Sequence, residues 1–208
     1  MPDPITIAAW LLIGTPILGA IPVGNPSLIS IWSMDREDFI RTVGEHRRAW
    51  AWLNAGFTLA TVGTTGGLVI LASVLGDDPG RGAALAATAA GYGIGGALWC
   101  AVLAIRNQTT PALADLIAAG TATEPAEGLV GAVTGGIYVA FVAITSIALI
   151  ALGVALLAGG GVAAPVSAVV AGVGALTCAW LLRTGDIIPA VLYVPTLLIG
   201  IALLAGWR

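Results

Sequence analysis

The only histidine of this 208-residue chain, His46, follows Glu45 and precedes Arg47 and Arg48. A carboxylate beside an imidazole can do acid–base work. Neighbouring guanidinium groups can hold a phosphate through charge-assisted N–H donors. Arg106 with Asn107, Arg183 and Asp186 supply the same group types elsewhere. Glu45, His46 and Asp186 are therefore the candidate catalytic residues. Arg47, Arg48, Arg106 and Arg183 are the candidate lipid- or phosphate-binding residues. Residue type alone does not bring them together.

Two further patterns look like sites and read better as packing. Gly91-Tyr-Gly93-Ile-Gly95-Gly96 spells G-x-G-x-x-G, but a nucleotide fingerprint needs a preceding strand and a βαβ unit. Here the flanks are continuously apolar. Gly91 and Gly95, four apart, make instead a small-residue face that lets helix backbones approach closely. Gly63/Gly67 and Ser167/Ala171 have the same spacing. Such faces are also where copies of the chain would associate. The two cysteines stand in a repeated word, Gly96-Ala-Leu-Trp-Cys100-Ala and Gly174-Ala-Leu-Thr-Cys178-Ala. Without a C-x-x-C pair they are expected to pack as small hydrophobes.

The elements that position these residues follow from composition. The chain is 58% hydrophobic and 9% charged, against about 25% charged in a soluble domain. Its mean hydropathy is +1.00. A spanning helix needs roughly 20 apolar residues, and the apolar runs fit spans at 5–23, 50–75, 83–105, 129–157, 162–182 and 187–207. The expected fold is an all-α, polytopic membrane helix bundle of about six transmembrane helices in a single domain, 1–208. Met1-Pro-Asp-Pro lacks the positive start of a secretory signal, so the first run is expected to stay as a span. Between spans one and two lies the densest charge of the chain, from Asp35 to Arg48. It reads as a short amphipathic helix. Ser33 or Asp35 can cap it, Glu37 and Arg41 form an i,i+4 pair, and Phe39, Ile40, Val43, His46 and Trp50 mark its apolar face. The segment 106–127 reads as a polar connection with an amphipathic middle, 111–119. Turns are expected at 76–80, at 159–161 and at 183–186.

Arginine placement sets the expected orientation. Basic residues in short loops stay in the cytoplasm. Arg36, Arg41, Arg47, Arg48, Arg106 and Arg183 fall on one side, Arg81 and Arg208 on the other. The expectation is a multi-pass protein of the cell membrane with both termini extracytoplasmic. Trp50 and Trp52, beside Arg47 and Arg48, are expected to anchor at the same interface.

Composition also excludes. Lysine is absent, so no Schiff base can hold a retinal. One histidine cannot ligate a haem from both sides, and one histidine without a thiol cluster does not make a zinc site. No cofactor or metal is expected. A net charge of −3 does not suit nucleic acid. No Asp, Glu, His or Arg stands in the middle of a span, which argues against a charge-coupled pump. Membrane lipids are the expected partners.

Asn25-Pro26, His46-Arg-Arg-Ala-Trp50, Gly185-Asp186-Ile-Ile-Pro189 and Gly200-Ile-Ala-Leu-Leu204 resemble the short words of a broad group of uncharacterised bacterial multi-span membrane proteins. The resemblance implies a fold and no activity. Three functions fit the residues. The first is a non-catalytic bundle binding lipid or a partner protein. The second is a small membrane-embedded enzyme acting on an isoprenoid or lipid at the cytoplasmic face. The third is a passive channel or transporter for small neutral solutes. A solid core favours the first, a cavity reaching Glu45 or Asp186 the second, a continuous polar path the third.

The orientation is open to a direct check. In a variant without Cys100 and Cys178, single cysteines at Asp78 and Ala118 are expected to react with an impermeant maleimide from opposite faces. Labelling from the same face would defeat the arrangement.

Overall fold

Asp35 opens the charged helix as expected: its carboxylate accepts the Asp38 N–H at 2.9 Å. That helix, α2, is one of seven in the computed structural model, which describes residues 3–121, 123–159 and 162–206. The others are α1 (Pro4–Ala20), α3 (Arg47–Leu75), α4 (Pro79–Ala118), α5 (Glu124–Gly159), α6 (Ala164–Thr184) and α7 (Val194–Leu204), with α2 over Arg36–Glu45. Short 3₁₀ turns lie at Ile21–Gly24, Ile29–Trp32 and Pro189–Leu192. Among the described residues there is no strand. The chain is an all-α bundle, and five of its helical segments are long and apolar enough to cross a membrane: Pro4–Gly24, Arg47–Leu75, Pro79–Ala118, Glu124–Ala158 and Ala164–Thr184. Part of the expected turn at 159–161, the end of the sixth run at Trp207, and Arg208 lie outside the described residues.

The helices pack in a circuit. Helix α1 lies on α3, α3 on α4, α4 on α5 and α5 on α6, while α7 touches both α6 and α1 and closes the ring. Glycine makes these crossings close. A Cβ on Gly153 of α5 would stand 2.5 Å from the Ala171 nitrogen and 2.6 Å from the Ser167 oxygen of α6. On Gly67 of α3 it would meet the Leu12 side chain of α1 at 2.9 Å, and on Gly95 of α4 it would run into the Thr145 hydroxyl of α5. All three small-residue faces read from the sequence are thus covered inside one chain. The hydroxyls between helices pair where they can. Thr177 Oγ1 donates to the Gly174 carbonyl, and Ser146 Oγ then donates to Thr177 at 2.8 Å.

Three sequence expectations change. First, the connection after residue 105 is no loop: α4 runs unbroken from Pro79 to Ala118, with Pro111 inside it. Forty residues at 1.5 Å each make a rod about 60 Å long, twice a bilayer's hydrocarbon core. Its last turns therefore project beyond the apolar part of the bundle and receive α2. Second, α2 does not continue into Trp50. His46 has φ −118° and ψ 38°, which is not helical, so the chain bends there. Third, the last apolar run is not one helix. Gly185 ends α6 in the left-handed conformation at φ 72°, its N–H reaching Leu181 O at 2.8 Å. Extended chain and a 3₁₀ turn follow before the 11-residue α7.

The short helix is held by burial as well as charge. Ile40 and Val43 are 1% and 0% exposed, worth roughly 1.5–3 kcal/mol each. Val43 joins Leu28, Ile31, Trp50 and Leu53 in a small core of its own. Gly44 lets α2 come down on α4, since a Cβ there would meet Ala114 Cβ at 2.5 Å.

Glycine position therefore decides tolerance. Gly153→Leu is expected to cost about 1–3 kcal/mol or more through overpacking against backbone. Gly135→Ala, where nothing lies within 4 Å of the new methyl, is expected to be neutral or stabilising by up to about 1 kcal/mol. Thermal unfolding of the two variants in one detergent compares them; equal losses would contradict the packing account.

Candidate functional site

The bend between α2 and α3 presents Glu45, His46, Arg47 and Arg48 in sequence. The carbonyl of Thr42 can only accept, so the His46 Nδ1 at 3.2 Å donates to it. That contact puts a proton on Nδ1. Glu45 and Arg48 are exposed and take part in no ion pair or side-chain hydrogen bond among the described residues. Arg47 is turned away from them. Its Nε donates to Gly44 O at 3.0 Å, and its two terminal nitrogens reach the two carboxylate oxygens of Asp115. Asp115 lies on the projecting end of α4, and the Arg47 hydrogen bond holds its carboxyl below the ordinary 3.8. The concavities here are open grooves: one of about 410 Å³ along residues 44–49, the other of about 310 Å³ between the bend and residues 114–118. Neither enters the bundle.

A second group of polar residues gathers around Arg106. The indole of Trp50 is 3% exposed. It packs edge-on against Phe39 at 5.7 Å, carries the Arg106 guanidinium over its ring at 5.6 Å and donates Nε1–H to the Arg106 carbonyl at 3.3 Å. Trp50 is thus a core platform and not an interfacial anchor, while Trp52 is 68% exposed and free to anchor. Arg36 of α2 donates Nε–H to Glu127 of α5 at 3.0 Å, and the other Glu127 oxygen accepts from Thr123 at 2.5 Å. Arg36 and Asp186 both lie near enough to act electrostatically on Arg106. Asp186 Oδ1 accepts the Ile187 N–H at 2.7 Å, and the Tyr138 hydroxyl donates to the Ile187 carbonyl. Arg183, exposed in the last turn of α6, takes part in no ion pair among the described residues.

The candidates therefore fall into two sets. Glu45, His46, Arg47 and Arg48 stand at the bend; Arg106 and Asp186 stand around Trp50 and Tyr138; Arg183, in the last turn of α6, belongs to neither. Among the described residues no hydrogen bond or ion pair joins Glu45 or His46 to Asp186. Residues missed from the sequence hold both sets in place. Arg36 and Glu127 are 91 residues apart, Arg47 and Asp115 68, and no local spacing announces either pair. Trp50 gave a partial signal, being a large aromatic at a helix entry.

No family model, no curated protein and no solved structure matches the chain.

The tyrosines that reach into the last segment yield a stability test. Tyr92→Phe leaves the Leu192 carbonyl, now met by the hydroxyl at 2.5 Å, without that donor in the core. A loss of about 1–3 kcal/mol is expected. Tyr138→Phe, whose acceptor Ile187 is only partly buried, should cost less. Chemical denaturation of both variants in mild detergent gives the ranking, and the reverse order would refute it.

Proposed function

We propose that this chain is a multi-pass protein of the cell membrane, with both termini extracytoplasmic, and that it works as a non-catalytic bundle binding lipid at its arginine-rich, cytoplasmic end. The observation that carries the reading is the continuous apolar core. A contiguous core runs through the bundle, from Ala8, Leu12 and Leu71 through Trp99 and Phe141 to Leu149 and Ile199. The two grooves at the bend lie outside it. A buried substrate pocket needs concavity with convergent polar groups, and Glu45, His46 and Asp186 do not converge. Arg48 and Arg183 are exposed at the end where the bend lies and α6 finishes. Each such arginine contributes on the order of 1 kcal/mol toward an anionic leaflet. Large apolar side chains cover the outside of the spanning helices, including Trp10, Leu18, Val62, Ile94, Ile147 and Leu176, as lipid solvation requires.

The enzymatic reading keeps one supporting observation, the grouping of Asp186 with Tyr138 and Arg106 at the end of the bundle. It makes the opposite forecast for substitutions. On the lipid-binding reading, Arg48→Gln with Arg183→Gln weakens retention of phosphatidylglycerol during purification several-fold. Glu45→Gln and Asp186→Asn then leave the growth phenotype of a deletion strain complemented. On the enzymatic reading those two carboxyl variants fail to complement while folding normally. Lipid mass spectrometry of the purified variants, run beside complementation, separates the two. Undiminished retention in the double arginine variant would sink the proposal.

A further inference from the structure

Arg106 differs from Arg36, Arg41 and Arg47 in what it lacks, and from the exposed Arg48 and Arg183 in its partial burial. Arg36, Arg41 and Arg47 each hold a carboxylate, at Glu127, at Glu37 with Asp38, and at Asp115. Arg106 holds none within ion-pair distance among the described residues, and no side-chain donor of its guanidinium meets a protein acceptor there. Yet it is partly buried, and one face of the ion is covered by the Trp50 ring. A guanidinium has five N–H donors and no acceptor. Removing such an ion from water without a hydrogen-bonding partner is costly. Arg36 makes the position less comfortable still, since its like charge acts on Arg106. Only the Nε of Arg36 is bound to Glu127, so its terminal N–H groups remain available. The Trp50 Nε1–H is already used on the Arg106 carbonyl, and the Tyr138 hydroxyl on Ile187 O. Asp186 lends negative charge from a distance while its Oδ1 serves the Ile187 N–H. Two guanidinium groups with donors to spare therefore lie at one aromatic cluster: Arg106 over the Trp50 ring, and Arg36 three residues before Phe39, whose ring meets Trp50 edge-on.

We propose that Arg106 and Arg36 form a binding site for a phosphate group, seated above Trp50 and bordered by Asp186. Arg106 supplies a guanidinium fork held over the Trp50 ring, and such a fork suits two phosphate oxygens. Arg36 adds terminal N–H donors from the neighbouring helix. Asp186 limits affinity, because its carboxylate competes with the anion for the same charge. The phosphate comes from a lipid headgroup or from a soluble phosphate; the first source rests on the lipid-binding reading above, and the second does not.

The test uses the full-length protein in a neutral detergent. Native mass spectrometry follows phosphatidylglycerol against phosphatidylcholine, and tryptophan fluorescence follows inorganic phosphate. Arg106→Gln is expected to lower affinity about tenfold or more, and Arg36→Gln several-fold. Asp186→Asn is expected to raise affinity, which a merely structural role for Asp186 would not do. Arg41→Gln, which removes the same charge from a residue tied to two carboxylates of its own helix, should change nothing. Should Arg106→Gln fail to fold, the variants of the exposed Arg36 and Asp186 carry the measurement. Binding of phosphatidylglycerol but not of inorganic phosphate identifies a headgroup site; binding of inorganic phosphate with the same variant dependence identifies a soluble ligand. A wild type that prefers phosphatidylglycerol equally before and after Arg106→Gln overturns this site and leaves the lipid-binding reading standing. A wild type with no lipid preference but Arg106-dependent phosphate binding does the reverse. Binding of neither probe overturns both.

Discussion

A backbone carbonyl buried without a donor is the constraint that this bundle has to meet at Leu192. Between Gly185 and Tyr193 the chain leaves the α-helical path, so its polar groups lose their automatic partners. Tyr92 of α4 donates to Leu192 O, and Tyr138 of α5 to Ile187 O. Tyr193 turns back toward α3. Thr61 gives its own proton to Phe57 O at 2.8 Å, so the Tyr193 hydroxyl donates to Thr61 at 2.6 Å. Three long side chains thus tie an irregular segment to three different helices. With that segment held, α7 can start at Val194 and lie against α1. In an apolar solvent non-helical backbone is tolerated only where protein covers it, and here tyrosine does so.

The same economy of space governs the rest of the core. Glycines bring α3 onto α1 and α6 onto α5 until backbone nearly touches side chain. Close approach leaves little room for large knobs or for cavities. Several hydroxyls that line these crossings bond their own preceding turn, as Thr58, Thr65 and Thr88 do, or one another, as Ser146 and Thr177 do, while those of Thr64 and Thr145 are buried without a partner. The charged side chains are consequently confined to the ends, and among the described residues the buried polar ones between helices carry hydroxyls or, at Asn54, an amide.

At the arginine end the charges divide by task. Arg47 and Arg36 fasten the bend and α2 to the ends of α4 and α5. Both pairs are substantially exposed at the arginine, so their strength is modest and the apolar seating of Ile40 and Val43 carries more of the attachment. Arg48 and Arg183 face outward. Arg106 alone is drawn inward onto an aromatic ring without an anion of its own. That asymmetry could not be seen in a count of basic residues.

The sequence by itself determined the helices and their apolar surface. Apolar runs of more than 20 residues, broken at Gly76–Gly80 and at Arg183–Asp186, leave few alternatives to an all-α bundle, because backbone groups there must bond within their own segment. Asp35, Glu37 and Arg41 likewise disclosed the short helix, since caps and i,i+4 pairs are local. Local signals failed where the partner was distant. Nothing near residue 106 tells that α4 continues for another three turns; packing of α2 on Ala114 supports that extension. Nothing near Ile187 tells that the last run is broken, because the tyrosines that make the break tolerable lie on α4 and α5. The candidate residues were legible as types, and only the tertiary structure decided their grouping. It set Glu45 and His46 apart from Asp186 and put Arg106 on Trp50, since a helix bend and a 60 Å rod, not sequence spacing, fix which side chains meet.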